Sequence, residues 1–202
     1  MAGDGCLSRW SRSSRNSISY ITMVTGHLQE STYYSYLVKL FEREFNVLPS
    51  VHPRKNTNSI VLRTYNLEVF ACFKQLGFPV GKKNCVRIPH EIYSDTRLAV
   101  ACVRGIFDTD GSVYERYRKQ YSNHPRQYSY KVVQIKMKQE ELLLQVRDIL
   151  HSIGVRCNRL TKNGSCTVLR ITHQPSIHWF FSFVMPSNTH HIKRYKNGSG
   201  GI

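Results

Sequence analysis

Val103-Arg104-Gly105-Ile106-Phe107-Asp108-Thr109-Asp110-Gly111 is the stretch on which the fold turns. Upstream of it, Ser94 or Asp95 can cap a helix over residues 96–108, whose face carries Leu98, Ala99, Cys102, Gly105 and Ile106. Ala101 and Gly105 stand four apart, so one side of this helix is almost bare. Gly inside a helix costs ~1 kcal/mol against Ala, which marks a need for close packing. The expected partner is an equivalent helix from another copy of the same unit. Beyond the helix, Asp110 next to Gly111 presents carboxylate oxygens, the ligands hard cations such as Mg²⁺ prefer.

A second copy is visible in the chain. Lys55-Asn56 recurs as Lys162-Asn163, and Val61-Leu62-Arg63 recurs as Val168-Leu169-Arg170. Asp4-Gly5 falls opposite Asp110-Gly111, and Asn46-Val47 opposite Gly154-Val155. Landmarks in one order, at offsets of 106 to 108 residues, indicate a tandem duplication. Helical spacing links Tyr33/Tyr34, Leu37, Leu40/Phe41 and Phe45, then Leu143, Val146, Leu150 and Ile153. Strand-like runs precede these helices at 17–25 and 128–135. Hairpin patterns follow them, pairing 50–52 with 60–65 around Lys55-Asn56-Thr57-Asn58, and 156–160 with 167–172 around Lys162-Asn163-Gly164. Helices over 67–76 and 176–183 close the copies. Each copy therefore reads strand–strand–helix–strand–strand–helix, an α+β unit. Residues 1–94 form the first repeat with its linker (81–94, around Pro89), and residues 95–202 the second. The duplication supplies a second carboxylate, because Ala2-Gly3-Asp4-Gly5 occupies the place of Thr109-Asp110-Gly111. Two such aspartates on adjoining helix ends suit hydrolysis at two phosphates.

Composition narrows the partner. The 202 residues carry 29 Lys+Arg against 13 Asp+Glu, a formal net charge of +16. Such a balance in a folded chain points to a polyanion, most often nucleic acid. The six cysteines, Cys6, Cys72, Cys85, Cys102, Cys157 and Cys166, include no C-x-x-C pair. They read as reduced thiols of an intracellular chain, cytoplasmic or, in a eukaryotic host, organellar. No apolar run approaches the ~20 residues that span a bilayer, so no membrane partner is expected.

Taken together, residues 103–111, the remnant Met1-Ala2-Gly3-Asp4-Gly5, the turn Gly77-Phe78-Pro79-Val80-Gly81-Lys82-Lys83 and the Ile88-Pro89 linker resemble the LAGLIDADG homing endonucleases in their single-chain, two-repeat form. The resemblance implies two pseudo-symmetric αββαββα repeats whose antiparallel sheets lie on DNA, in a monomer with an internal pseudo-twofold axis. It implies an intron-encoded enzyme that cuts both strands of a long, specific duplex site with Mg²⁺ or Mn²⁺. Asp4 and Asp110 would be the metal ligands, and Asp108, two residues earlier, would cap or salt-bridge locally. A Lys or Gln is implied near each metal. Lys136 or Lys138 fits in the second copy, Lys138 being favoured, and His27 or Gln29 fits in the first, giving Lys138 and Gln29 as catalytic candidates. Met1 stands where the fifth motif residue belongs, which leaves about two turns of the first motif helix missing. Asp4 is then expected on a frayed end, with either a start codon further upstream or an eroded copy.

The same reading distributes the basic residues. Arg9, Arg12 and Arg15 fall on the first hairpin of copy one, and Arg116, Arg118, Lys119, Arg126 and Lys131 on that of copy two. Arg54, Lys55, Arg63, Arg159, Lys162 and Arg170 belong to the second hairpins, with Gln127 or Gln134 suited to adenine. The basic C-terminal run from His190 to Lys196 is expected to be a flexible end touching backbone phosphates, and 198–201 a disordered tail. Two other roles on the same fold compete: an RNA-splicing maturase with intron RNA as partner, and a non-cleaving DNA-binding regulator. Neither needs the paired carboxylates.

Overall fold

Two four-stranded antiparallel sheets, each backed by helices, account for the two copies. The computed structural model describes residues 2–12, 17–83, 86–117 and 129–197. In the first copy, β1 (Gly5–Arg12), β2 (Ser17–His27), α1 (Ser31–Phe45), β3 (Ser50–Pro53), β4 (Ser59–Thr64) and α2 (Leu67–Gln75) follow in order. A short helix, α3 (His90–Tyr93), lies within the linker. The second copy runs through α4 (Thr96–Asp110), β5 (Gly111–Tyr117), β6 (Ser129–Met137), α5 (Glu140–Ser152), β7 (Thr161–Asn163), β8 (Cys166–Ile171), α6 (Gln174–Phe183) and α7 (Thr189–Asn197). The sheet orders are β1-β2-β4-β3 and β5-β6-β8-β7, so the duplication is a duplication of topology.

Local chemistry explains the shared boundaries. Asp95 is the residue that caps α4, its carboxylate accepting from Arg97 N at 2.8 Å and Leu98 N at 3.0 Å. Asn66 caps α2 in the same way, accepting from Val69 N at 3.0 Å. The Asn46/Gly154 equivalence is a common helix ending, since α1 and α5 both turn through a left-handed residue there (φ 52° and 84°). One face of each sheet is apolar and covered by helices. Val113, Val133, Ile135, Leu169 and Ile171 alternate inward from three paired strands to meet Leu143, Val146 and Leu150 of α5. Each such aliphatic side chain contributes about 1.5–3 kcal/mol by leaving water. The opposite faces carry the exposed Arg116 and Lys136 and the half-buried Arg63, Gln134 and Arg170, with Val61, Val132 and Val168 buried among them.

Four sequence expectations change. The strand expected over 156–160 is irregular; Arg156 N donates to Ser176 Oγ at 3.1 Å, leaving a single ladder-like bond from Asn158 N to Arg170 O at 2.8 Å. Pairing begins at Thr161 and the hairpin turns at Gly164-Ser165 instead. The basic C-terminal run is not a flexible end but helix α7, anchored by stacking of Tyr195 on Phe181 at 3.9 Å and by burial of His191. The tail at 198–201 lies outside the described residues. Asp4 is not frayed; residues 2–4 are held against the end of α4, as detailed below. Finally, the bare face of α4 meets no paired helix among the described residues. Apart from the helix's own backbone, nothing among the described residues comes within 4 Å of where a Gly105 Cβ would stand. Ala101 and Gly105 instead look onto a cleft of about 640 Å³ whose other wall includes Leu37, Leu40 and Phe41 of α1.

Candidate active site

The last turn of α4 and the residues entering β1 converge on one point. Asp110 ends α4, and Gly111 directly begins β5, so the carboxylate stands at the junction of helix and sheet. Thr109 sits beside it, its hydroxyl donating to Asp110 Oδ2 at 2.9 Å and lying 3.4 Å from the Asp4 backbone N–H. Gly3 allows the approach. A Cβ there would lie 1.9 Å from Thr109 Oγ1 and 2.3 Å from Asp110 Oδ2, so any side chain would push the two segments apart. Asp4 is thereby seated beside Asp110, the juxtaposition expected from the repeat.

The electrostatics follow from that packing. Asp4 stays exposed as a residue, yet surrounding protein takes enough water from its carboxyl to push its pKa up to about 7, with Asp110's charge adding to the rise. Asp110 is raised for the same first reason, burial, opposed by the Thr109 hydroxyl and by Lys83. Lys83 is the cation common to both. It arrives from the turn after α2, and its ammonium donates to the Gly3 carbonyl. Glu30, the last residue of a 3-10 turn after β2, adds negative charge near Asp4. Its carboxylate accepts from His27 N at 3.0 Å and from Asn188 Nδ2 at 2.8 Å.

Asp108 has a structural part, and not a local one. It is 2% exposed, accepts from the backbone of Ser187 and Asn188 at 3.0 Å, and so fixes the N-terminal end of α7. Burial outweighs those bonds and leaves its pKa at about 6.

The other expected residues divide. Lys138 is exposed, one residue past the end of β6, and Gln29 is exposed in the 3-10 turn. Neither bears on the charge of Asp4 or Asp110 as Lys83 does. Register places Ser112, Gln134 and Arg170 in one row of the open face of the second sheet, with Arg116 and Lys136 on the same side. There Gln134 Oε1 accepts from Tyr114 at 3.2 Å and from Arg170 Nε at 3.0 Å. Arg63 opposes Met23 on the open face of the first sheet. Arg54, Lys55 and Arg159 are exposed in connecting segments, and Arg9 lies exposed near the outer end of β1. Lys162 pairs with Glu140. Lys131 turns to the helix side, donating to the Tyr195 carbonyl, with its ammonium 4.8 Å from the Tyr195 ring centre. Arg15, Arg118, Lys119, Arg126 and Gln127, and the side chain of Arg12, lie outside the described residues. Sequence reasoning missed Lys83 and Glu30 as charges of the site. Only the Gly81-Lys82-Lys83 turn offered a signal.

Residues 97–184 match the family model of the LAGLIDADG-like domain. That stretch covers most of the second repeat. The whole chain has the LAGLIDADG homing endonuclease fold. It is similar to I-DmoI in complex with DNA and Mn (19% identity over 92% of this chain and 91% of that one, TM-score 0.63). It is also similar to the meganuclease I-AabMI bound to uncleaved DNA (9% identity, 96% and 84%, TM-score 0.66). A third likeness is to I-SmaMI bound to uncleaveable DNA (14% identity, 96% and 85%, TM-score 0.64). Among curated proteins no sequence matches.

The donor set suits a hard divalent cation. Two carboxylates raised by burial, Asp4 further by the charge of Asp110, gain from any cation that neutralises both. Among the described residues no three His, Cys, Asp or Glu side chains form a metal cluster. Water or phosphate oxygens would therefore complete the shell. No helix of the described residues is long and apolar enough to cross a membrane.

Proposed function

We propose that the chain is a site-specific double-stranded DNA endonuclease of the homing type, hydrolysing phosphodiester bonds with Mg²⁺ or Mn²⁺ held by Asp4 and Asp110. The observation that carries this reading is the seating of Asp4 beside Asp110 through Gly3, between two sheets whose open faces carry Arg63, Arg116, Gln134, Lys136 and Arg170. The solved structures of I-DmoI with DNA and Mn, Mg or Ca support it by fold.

A bound divalent cation would supply an activated water and neutralise charge on the phosphate. The protein's own residues do the rest. Thr109 holds the Asp110 carboxylate at one orientation, and the α4–β5 junction fixes where it projects. The open sheet faces bring duplex phosphates to that point, Arg116 and Arg170 suiting base edges and Lys136 phosphates. One chain with two related halves would act as a monomer on both strands.

The test is cleavage and binding measured side by side for wild type and Asp110→Asn. The variant should lose double-strand cutting and keep salt-sensitive duplex binding. Normal cutting by the variant would refute the assignment of the metal ligands.

A further inference from the structure

Lys83 is delivered to the carboxylate pair by a turn that is fixed at several points. Val80 pairs with Leu7 of β1 in a parallel bridge, and Gly81 N donates to Leu7 O at 2.7 Å. Gly81 adopts φ +86°, a turn that a side chain would strain. Gln139 Nε2, just before α5, donates to the Lys83 carbonyl at 3.1 Å. The side chain then reaches the Gly3 carbonyl. That carbonyl belongs to the residue preceding Asp4, and Asp110 Oδ2 lies 2.3 Å from where the Gly3 Cβ would stand. The turn is thus anchored to the first sheet and to the start of α5, and brings its ammonium to the carbonyl beside Asp4, within the field of both carboxylates.

We propose that Lys83 is the resident counter-ion of the Asp4–Asp110 pair, occupying their shared field in the metal-free protein and competing with a divalent cation for it. This rests on the reading of Asp4 and Asp110 as metal ligands. Two carboxylates brought together without a cation repel each other, and a half-buried ammonium beside them offsets that repulsion. An incoming Mg²⁺ or Mn²⁺ meets the same ammonium as a like charge. Lys83 is accordingly a positioning residue: it holds the site assembled without metal and weakens the grip on metal, which favours release and exchange.

The experiment is Mn²⁺ titration of the full chain without DNA, following free Mn²⁺ by electron paramagnetic resonance, together with thermal melts in EDTA. Wild type, Lys83→Met, Lys83→Arg, Asp110→Asn and Asp4→Asn are compared. Lys83→Met should bind Mn²⁺ about tenfold more tightly, equivalent to ~1.4 kcal/mol, and melt at lower temperature in EDTA. Saturating Mn²⁺ should close the gap in melting temperature. Lys83→Arg keeps the charge and should match wild type in both. Unchanged or weaker Mn²⁺ binding by folded Lys83→Met, with binding lost in Asp110→Asn, overturns the counter-ion role while leaving the metal ligands standing. Equal binding by wild type and the aspartate variants, or none by wild type and Lys83→Met, overturns the metal site and this inference with it.

Discussion

Asn188 binds Asp108 twice, through its backbone N–H to the carboxylate at 3.0 Å and through its side-chain amide to the Asp108 carbonyl at 2.8 Å. The same amide reaches Glu30 of the first copy at 2.8 Å. A motif acid two residues from the catalytic candidate thus ties α7 and both repeats together.

Asp108→Ala should therefore act on stability and not on metal. It leaves the Ser187 and Asn188 N–H groups without acceptors in a buried place, at a cost of about 2–4 kcal/mol. Urea unfolding would show the loss, while Mn²⁺ affinity of the folded variant stays that of wild type. A variant as stable as wild type would show that the α7 anchor is elsewhere.

Two glycines of the same motif should respond in opposite directions. Gly105 has open space around its missing Cβ, so Gly105→Ala should raise stability by roughly 0.5–1 kcal/mol through helix propensity. At Gly111 a Cβ would lie 2.3 Å from the Phe107 carbonyl oxygen, so Gly111→Ala should destabilise by more than that. Thermal melts of the two single variants decide it. Destabilisation at both would mean that the small face of α4 is covered in solution.

Acid sensitivity should trace to His191. Its ring packs 5.0 Å from Phe107, and burial lowers its pKa to about 4, with Glu30 opposing. A depressed folded pKa means the unfolded chain binds the proton first. The contribution is complete above the ordinary histidine value of ~6.5 and is lost as pH falls toward 4, amounting to about 3 kcal/mol at most. Asp4 and Asp108, being raised, act in the opposite sense over part of this range. The comparison must therefore be wild type against His191→Phe at each pH. The variant should lose less stability between pH 6.5 and 4; parallel curves would exclude His191.

Basic residues on the open faces should separate from those on the helix side. Arg170→Ala or Arg116→Ala should weaken duplex binding and shallow its dependence on salt by about one charge. Lys131→Met should lower the melting temperature, because the ammonium is engaged by Tyr195, and leave the salt slope unchanged. Equal salt slopes for all three would contradict the assignment of faces.

The repeat was readable because duplication writes the same landmarks twice, down to the left-handed helix endings at Asn46 and Gly154. The Asp4–Asp110 meeting was readable for the same reason. Lys83 was not, since its nearness to Gly3 comes from a turn 80 residues away in sequence, and no local pattern encodes that distance. The irregular course of 156–160 escaped notice because a side-chain acceptor, Ser176 Oγ, takes a backbone donor that periodicity assigns to a strand. Helix α7 was hidden by its basic composition; its buried face rests on Asp108 and Phe181, which only the fold brings to it.

The most direct test of the central claim is Mg²⁺-dependent cutting of a randomised duplex library, with the cut ends sequenced and Asp4→Asn and Asp110→Asn run in parallel. A discrete long site, cut on both strands by wild type and by neither variant, is the predicted result. No cutting by wild type alongside retained, salt-sensitive binding, or cutting that survives in both variants, would contradict it.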